Sequence, residues 1–191
     1  MIHSVLNYFR AHQPPKIRIL HFIVLFAVIS QILVSNFIGF SGSGEIASNA
    51  PQFYGTWIHI ITGVILLPVA LFFTALVIRE KGVRYFYPYL FGNFDQIKSD
   101  ITQLRQLELP EPKAGGLAAT VIGLGLGALF LAICTGLLWF FSWEAGKEWS
   151  YAVMNFHGGI VGLIELYLVG HGGMGLLHIY LSTRSSTKEK V

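Results

Sequence analysis

His157 and His171 stand fourteen residues apart inside one glycine-rich apolar stretch. At 3.6 residues per turn that interval returns to within about 40° of the same direction after a rise of about 21 Å. The two imidazoles therefore line one face of a helix. His21 and His59 each lie near one end of another apolar segment. The chain thus offers four buried imidazoles in two tiers, enough to clamp two metal centres within a membrane.

The segments that must carry these side chains follow from composition. Of 191 residues, 53% are hydrophobic and 12% charged, and the mean hydropathy is +0.60. A water-soluble domain would carry about twice that charge. Four stretches reach the ~20 residues that a spanning helix needs: 17–40, 57–78, 116–141 and 151–180. Polar/apolar alternation of the barrel kind is absent, and an isolated strand leaves its backbone unsatisfied in lipid. The expectation is an all-α, integral membrane four-helix bundle forming one domain, 1–191.

Orientation follows from the basic residues. Of the thirteen Lys and Arg, only Lys147 lies between the first and second or the third and fourth segments, where it accompanies Glu45, Glu144 and Glu148. The positive-inside rule then puts both termini and the 79–113 loop in the cytoplasm, with the opposite face periplasmic in a bacterium. Arg10, Lys16 and Arg18 precede the first segment as in a signal peptide, but about 24 apolar residues exceed an ordinary h-region, so that segment is expected to be retained. The net charge of +3 is accounted for by residues facing the inner leaflet and does not point to nucleic acid. Cys134 is the lone cysteine, so no disulfide or zinc motif can form. No C-x-x-C-H occurs either, which excludes covalent attachment of a c-type haem.

The 79–113 loop opens with Tyr85-Phe86-Tyr87-Pro88-Tyr89 and closes with Pro110-Glu111-Pro112-Lys113, which stops any helix. Inside it Phe94, Ile97, Ile101 and Leu104 recur at steps of three and four, with Asp95, Lys98, Asp100 and Arg105 on other faces. That pattern predicts a short interfacial helix. Ile2, Val5, Leu6 and Phe9 make a similar stripe at the N-terminus. Either stripe would serve equally as a docking surface for another subunit.

With the N-terminus inside, His21 falls near the cytoplasmic edge of the first helix, and His59 opens the second at the periplasmic edge. The fourth helix runs inward, so His157 is periplasmic and His171 cytoplasmic. Depths match in pairs: His59 with His157 in an outer tier, His21 with His171 in an inner one. A zinc or mononuclear iron site needs three or four converging ligands, whereas each tier offers two. Two opposed imidazoles suit haem iron, whose porphyrin supplies four more donors. Haem is wide and flat, so small residues are expected at its faces; Gly63, Gly158, Gly162, Gly170, Gly172 and Gly173 lie at those levels. Gly123, Gly125 and Gly127 fit ordinary helix packing.

The arrangement resembles bacterial dihaem b-type cytochromes of the cytochrome b561 and Ni-Fe hydrogenase or formate dehydrogenase cytochrome b subunit type. The resemblance rests on Arg18-Ile19-Leu20-His21, on the W-I-H-I-I-T-G of 57–63, on a third segment without histidine, and on Phe156-His157-Gly158-Gly159 followed by His171 and by His178-Ile179-Tyr180. It implies bis-histidine ligation of two haems b, by His59 and His157 in the outer haem and by His21 and His171 in the inner one. It also implies electron transfer between quinone and a periplasmic or membrane-associated redox subunit or cytochrome c, in the bacterial inner membrane.

An iron with both axial positions filled by protein has no open site for substrate, which points independently to electron transfer. His178, two turns beyond His171, is placed to handle a quinone headgroup or a proton, or else to anchor the helix end at the interface. Arg18, one turn before His21, is placed to pair with a haem propionate or with a lipid headgroup. Glu165 lies near mid-membrane, where it must be neutral, paired or facing a polar cavity. Two other functions fit the same residues: a stand-alone oxidoreductase passing electrons from superoxide to quinone, and a haem-free transporter using the histidines as a relay.

Overall fold

The structure is a computed structural model that describes residues 9–10, 13–42 and 44–188. The chain is all-helical. Four long helices carry it, α1 (Pro15–Ser35), α2 (Ala50–Lys81), α5 (Leu117–Glu144) and α6 (Ser150–Lys188), with two short α-helices between α2 and α5, α3 (Val83–Phe86) and α4 (Asp95–Arg105), and a 3-10 turn, Pro88–Phe91, between those two. Among the described residues the extended backbone pairs only at an isolated bridge between Phe40 and Ile46.

All four long helices are long and apolar enough to cross a membrane. Their apolar side chains are largely outward: Phe26 is 66% exposed, Leu166 70% and Val169 74%. So much outward apolar surface would be prohibitive in water and is what lipid solvates.

The boundaries depart from expectation in two places. The first helix stops at Ser35 instead of residue 40, because the Asn36 side chain donates to the carbonyls of Ile32 and Leu33 at 3.2 and 3.1 Å and closes the end. The second begins at Ala50 instead of residue 57. Asn49 Oδ1 accepts from the backbone N–H of Gln52 at 3.2 Å, an N-cap, and Pro51 fits the first turn. The polar first turns of α2 carry no hydropathy signal, which is why the apolar pattern begins late. His59 therefore lies nine residues inside α2, about 13 Å from its start, and does not open it.

Two compact units divide the chain; α2, α5 and α6 each contribute to both. The first comprises Pro14–Phe73 and Leu129–Gly162. In it the chain after α1 folds back on α2 at Gly55. A Cβ there would lie 2.5 Å from Phe37 Cβ and 2.7 Å from its carbonyl oxygen, so only glycine permits the approach. At the next position, the fully buried Thr56 hydroxyl accepts from Gly39 N–H at 3.2 Å and donates to the Gln52 carbonyl at 2.8 Å. Phe40 packs edge-on against both Trp139 and Trp143 of α5. Trp143 Nε1 donates to the Gly44 carbonyl at 2.8 Å, tying the α1–α2 loop down.

The second unit contains Thr74–Ala128 and the later part of α6. The short amphipathic helix expected in the 79–113 loop is α4, but Asp100 is not on a solvent face. It is 2% exposed, where it accepts from Gln96 Nε2 and from Leu117 N–H, both at 2.7 Å. The second bond satisfies a backbone donor at the start of α5, an N-cap supplied by a different helix. Tyr87 Oη donates to the Gly123 carbonyl at 3.0 Å, and Gly115 N–H to the Tyr85 carbonyl at 3.0 Å, fastening the aromatic run to α5 and its approach. The N-terminal stripe falls, apart from Phe9, outside the described residues.

Candidate functional site

In the first unit α2 and α6 bring His59 and His157 together. The ring centres stand 6.3 Å apart and the ring planes are nearly perpendicular, at 82°. His157 lies seven residues inside α6, about 10 Å along it, so the earlier start of α2 preserves the match in depth that the sequence suggested.

The surroundings of His157 come from α5, which has no histidine of its own. His157 Nδ1 is 3.0 Å from the Ala132 carbonyl and 3.1 Å from Thr135 Oγ1. A carbonyl can only accept, so Nδ1 must carry the hydrogen and donate it, leaving the lone pair on Nε2. Thr135 is itself held by donating to the Leu131 carbonyl at 2.7 Å. Gly136 makes room for the ring: a Cβ there would sit 3.2 Å from His157 Cε1 and 3.5 Å from Nδ1.

His59 is approached from α1 by Gln31. The carboxamide of Gln31 lies 2.9 Å from His59 Nδ1 and is hydrogen-bonded to the Thr62 hydroxyl, whose own hydrogen goes to the Ile58 carbonyl at 2.5 Å. Both Nδ1 atoms therefore have a partner, and on His157 that partner leaves Nε2 for coordination. Outer partners of this kind fix tautomer and ring orientation in histidine-ligated metal sites.

This donor set fits a haem and not a bare metal ion. A metal–imidazole bond of about 2 Å puts the ring centre about 3 Å from the metal, so two ligands on opposite sides of one atom have centres about 6 Å apart. The 6.3 Å between His59 and His157 matches that separation. Among the described residues no three His, Cys, Asp or Glu side chains converge, as a protein-only site would require.

The remaining site residues stay within their own units. His21, in the first, lies against Phe73, ring centres 6.2 Å apart and planes 27° from parallel. Arg18 is half-buried one turn before it. In the second unit His171 stacks on Tyr167, one turn earlier on α6, at 5.0 Å and 5°. Tyr167 is seated against α5 at Gly125, where a Cβ would fall 2.3 Å from the ring. His178 is half-buried, and Glu165 is exposed on the chain surface.

Of the three glycines expected to serve helix packing, one departs from that expectation. Gly123 and Gly125 do pack against neighbours, Phe86 with Tyr87 and Tyr167 respectively, whereas Gly127 meets nothing within 4 Å. Gly158, Gly162, Gly170, Gly172 and Gly173 also face open space, and Gly63 meets only Gln31 Oε1, at an ordinary 3.7 Å. The glycine that presses on a candidate ligand is Gly136. Sequence reasoning passed over it together with Gln31 and Thr135. Gln31 did carry a signal, being an amide in an otherwise apolar spanning segment, where polar side chains hydrogen-bond between helices.

No curated protein and no solved structure matches the chain. A family model described as prokaryotic cytochrome b561 matches residues 12–188. With paired histidines suited to haem iron inside four membrane-length helices, and a family match running almost end to end, this chain belongs to the prokaryotic cytochrome b561 family, multi-pass membrane b-type cytochromes of electron transfer.

Proposed function

We propose that this cytochrome carries electrons across the bacterial inner membrane through two haems b, between the quinone pool and a redox partner protein on the periplasmic side. The observation that supports this most directly is the His59–His157 pair, 6.3 Å apart with both Nδ1 atoms held by other helices. His59 and His157 hold one haem near the periplasmic face. His21 and His171 hold the second near the cytoplasmic face. The rise of about 21 Å between His157 and His171 spaces the two centres across the bilayer.

A haem with two protein ligands supplies a one-electron couple and no vacant coordination position. The chain's own residues do the rest. Thr135 and the Ala132 carbonyl keep His157 in the tautomer that leaves Nε2 free to ligate, and Gly136 leaves its ring room. Phe73 and Tyr167 limit rotation of His21 and His171 through their ring contacts. Lipid surrounds the helices and excludes water from both centres, which lowers the dielectric response to a change of iron charge. Arg18 offsets a propionate of the inner haem, and His178 exchanges the proton that quinone chemistry requires at the cytoplasmic side. The whole chain, 1–191, works as one membrane-embedded domain with both termini cytoplasmic.

The test is a reduced-minus-oxidised spectrum with haem quantification on the purified protein, on His59→Ala and on His171→Ala. Two haems per chain in the wild type and one in each variant are expected, with quinol reducing the wild type. A colourless wild type, or variants that keep the full complement, would overturn the reading.

A further inference from the structure

The Gln31 carboxamide has two hydrogen-bonded orientations, and the tautomer of His59 decides between them. In one, Gln31 Nε2 donates to His59 Nδ1 at 2.9 Å and to the His59 carbonyl at 3.2 Å, while Oε1 accepts from Gly63 N–H at 3.1 Å and from the Thr62 hydroxyl. That orientation requires a bare Nδ1, so the hydrogen sits on Nε2 and the ring cannot ligate through it. In the other, Oε1 faces Nδ1 and Nε2 donates to Thr62 Oγ1.

The second orientation forms a chain with one direction. His59 Nδ1–H donates to Gln31 Oε1, Gln31 Nε2–H to Thr62 Oγ1, and Thr62 Oγ1–H to the Ile58 carbonyl at 2.5 Å. Its cost is two like-with-like contacts, Oε1 with the His59 carbonyl at 3.2 Å and Nε2 with the Gly63 N–H at 3.1 Å. What it yields is a His59 whose Nε2 lone pair is free, the same state that the Ala132 carbonyl imposes on His157. When Nε2 is bound to a metal, Nδ1 must carry the hydrogen, so only this orientation spares the amide a hydrogen-to-hydrogen clash with the ring.

We propose that Gln31 is a positioning residue which accepts the Nδ1–H of His59 and thereby sets the reduction potential of the haem that His59 and His157 hold. The proposal rests on the haem reading of that pair. An acceptor on Nδ1–H pushes electron density toward Nε2, which favours ferric over ferrous iron and lowers the potential. The two ligands differ in how they are held. His157 is fixed by a backbone carbonyl that no substitution removes, with Thr135 beside it, whereas His59 Nδ1 is met by the Gln31 side chain, through which sequence can tune the couple. Thr62 acts behind it by fixing which end of the amide faces the ring.

The experiment is a spectroelectrochemical titration of the purified holoprotein, wild type against Gln31→Leu and Gln31→Glu, with haem quantified in each. Gln31→Leu is expected to keep its haem and to shift the oxidised-to-reduced ratio of one redox wave about tenfold toward reduced at fixed potential, a rise of ~59 mV for a one-electron couple. Gln31→Glu keeps an acceptor oxygen in either protonation state, so its wave lies at or below the wild-type position. Any second wave stays in place. If Gln31→Leu does not accumulate, Thr62→Val carries the same expected sign, because it removes the amide's other partner. A full haem complement with an unshifted wave in Gln31→Leu, or in Thr62→Val where that replaces it, overturns this proposal and leaves the haem reading standing. A wild type without haem overturns both.

Discussion

Replacing Gly136 separates the stability of the chain from the integrity of the His157 site, because the two effects have opposite signs. In the middle of α5, Gly→Ala favours the helix by about 1 kcal/mol, and Gly136 has no positive φ that a side chain would strain. Folding is therefore unharmed. The added methyl, however, lies 3.2 Å from His157 Cε1, 3.5 Å from Nδ1 and 3.8 Å from Nε2. The ring has to yield by a few tenths of an ångström while held at 3.0 and 3.1 Å by Ala132 and Thr135, so the shift lengthens those bonds. Overpacking of this sort costs about 1–3 kcal/mol, which corresponds to roughly a five- to 150-fold loss of haem affinity. Gly136→Leu puts more atoms into the same space and abolishes binding by that pair. The assay is haem per chain and the rate of haem transfer to an apo-globin acceptor, read beside the thermal midpoint in detergent. Gly127→Ala is the control, since nothing lies within 4 Å of that position. Gly136→Leu with wild-type haem content and spectrum would refute the assignment of His157 as a ligand in the observed rotamer.

Two further outcomes follow from the second unit. Asp100→Ala removes the buried acceptor of Leu117 N–H and of Gln96, so it should lower thermal stability by about 1–3 kcal/mol. Asp100→Asn, which retains one oxygen, should recover part of the loss, and equal midpoints for the two variants would contradict a capping role. Burial, and then the nearby Tyr89, push the Tyr87 phenol above its usual range. Its bond to the Gly123 carbonyl therefore contributes fully below about pH 10 and is lost as pH rises through the raised folded value, since a phenolate cannot donate. Denaturation midpoints measured through the alkaline range should fall for the wild type and fall less for Tyr87→Phe.

The amino-acid sequence by itself determined the class of this protein. Four apolar runs, few charges and one cysteine leave lipid-spanning helices as the only way to satisfy the backbone, and that argument needs no coordinates. Histidine identity and the fourteen-residue interval were equally plain, because helical geometry converts spacing into direction and depth. Polar residues that act at a distance were hidden. Asp100 read as a solvated member of an amphipathic helix, yet it caps a helix seventeen residues further on. Gln31 and Thr135, single polar groups within apolar runs, drew no reading from the sequence. Gly136 looked like one more small residue, with nothing to set it apart from Gly158 or Gly162.

Only the tertiary structure decided which of these meet. A hydrogen bond between helices depends on the rotation of each about its axis, and that rotation is set by close contacts such as Phe37 on Gly55 and Tyr167 on Gly125. Periodicity identifies a face. It does not say which neighbour the face receives, and so the ligands were visible in the chain while the groups that orient them were not.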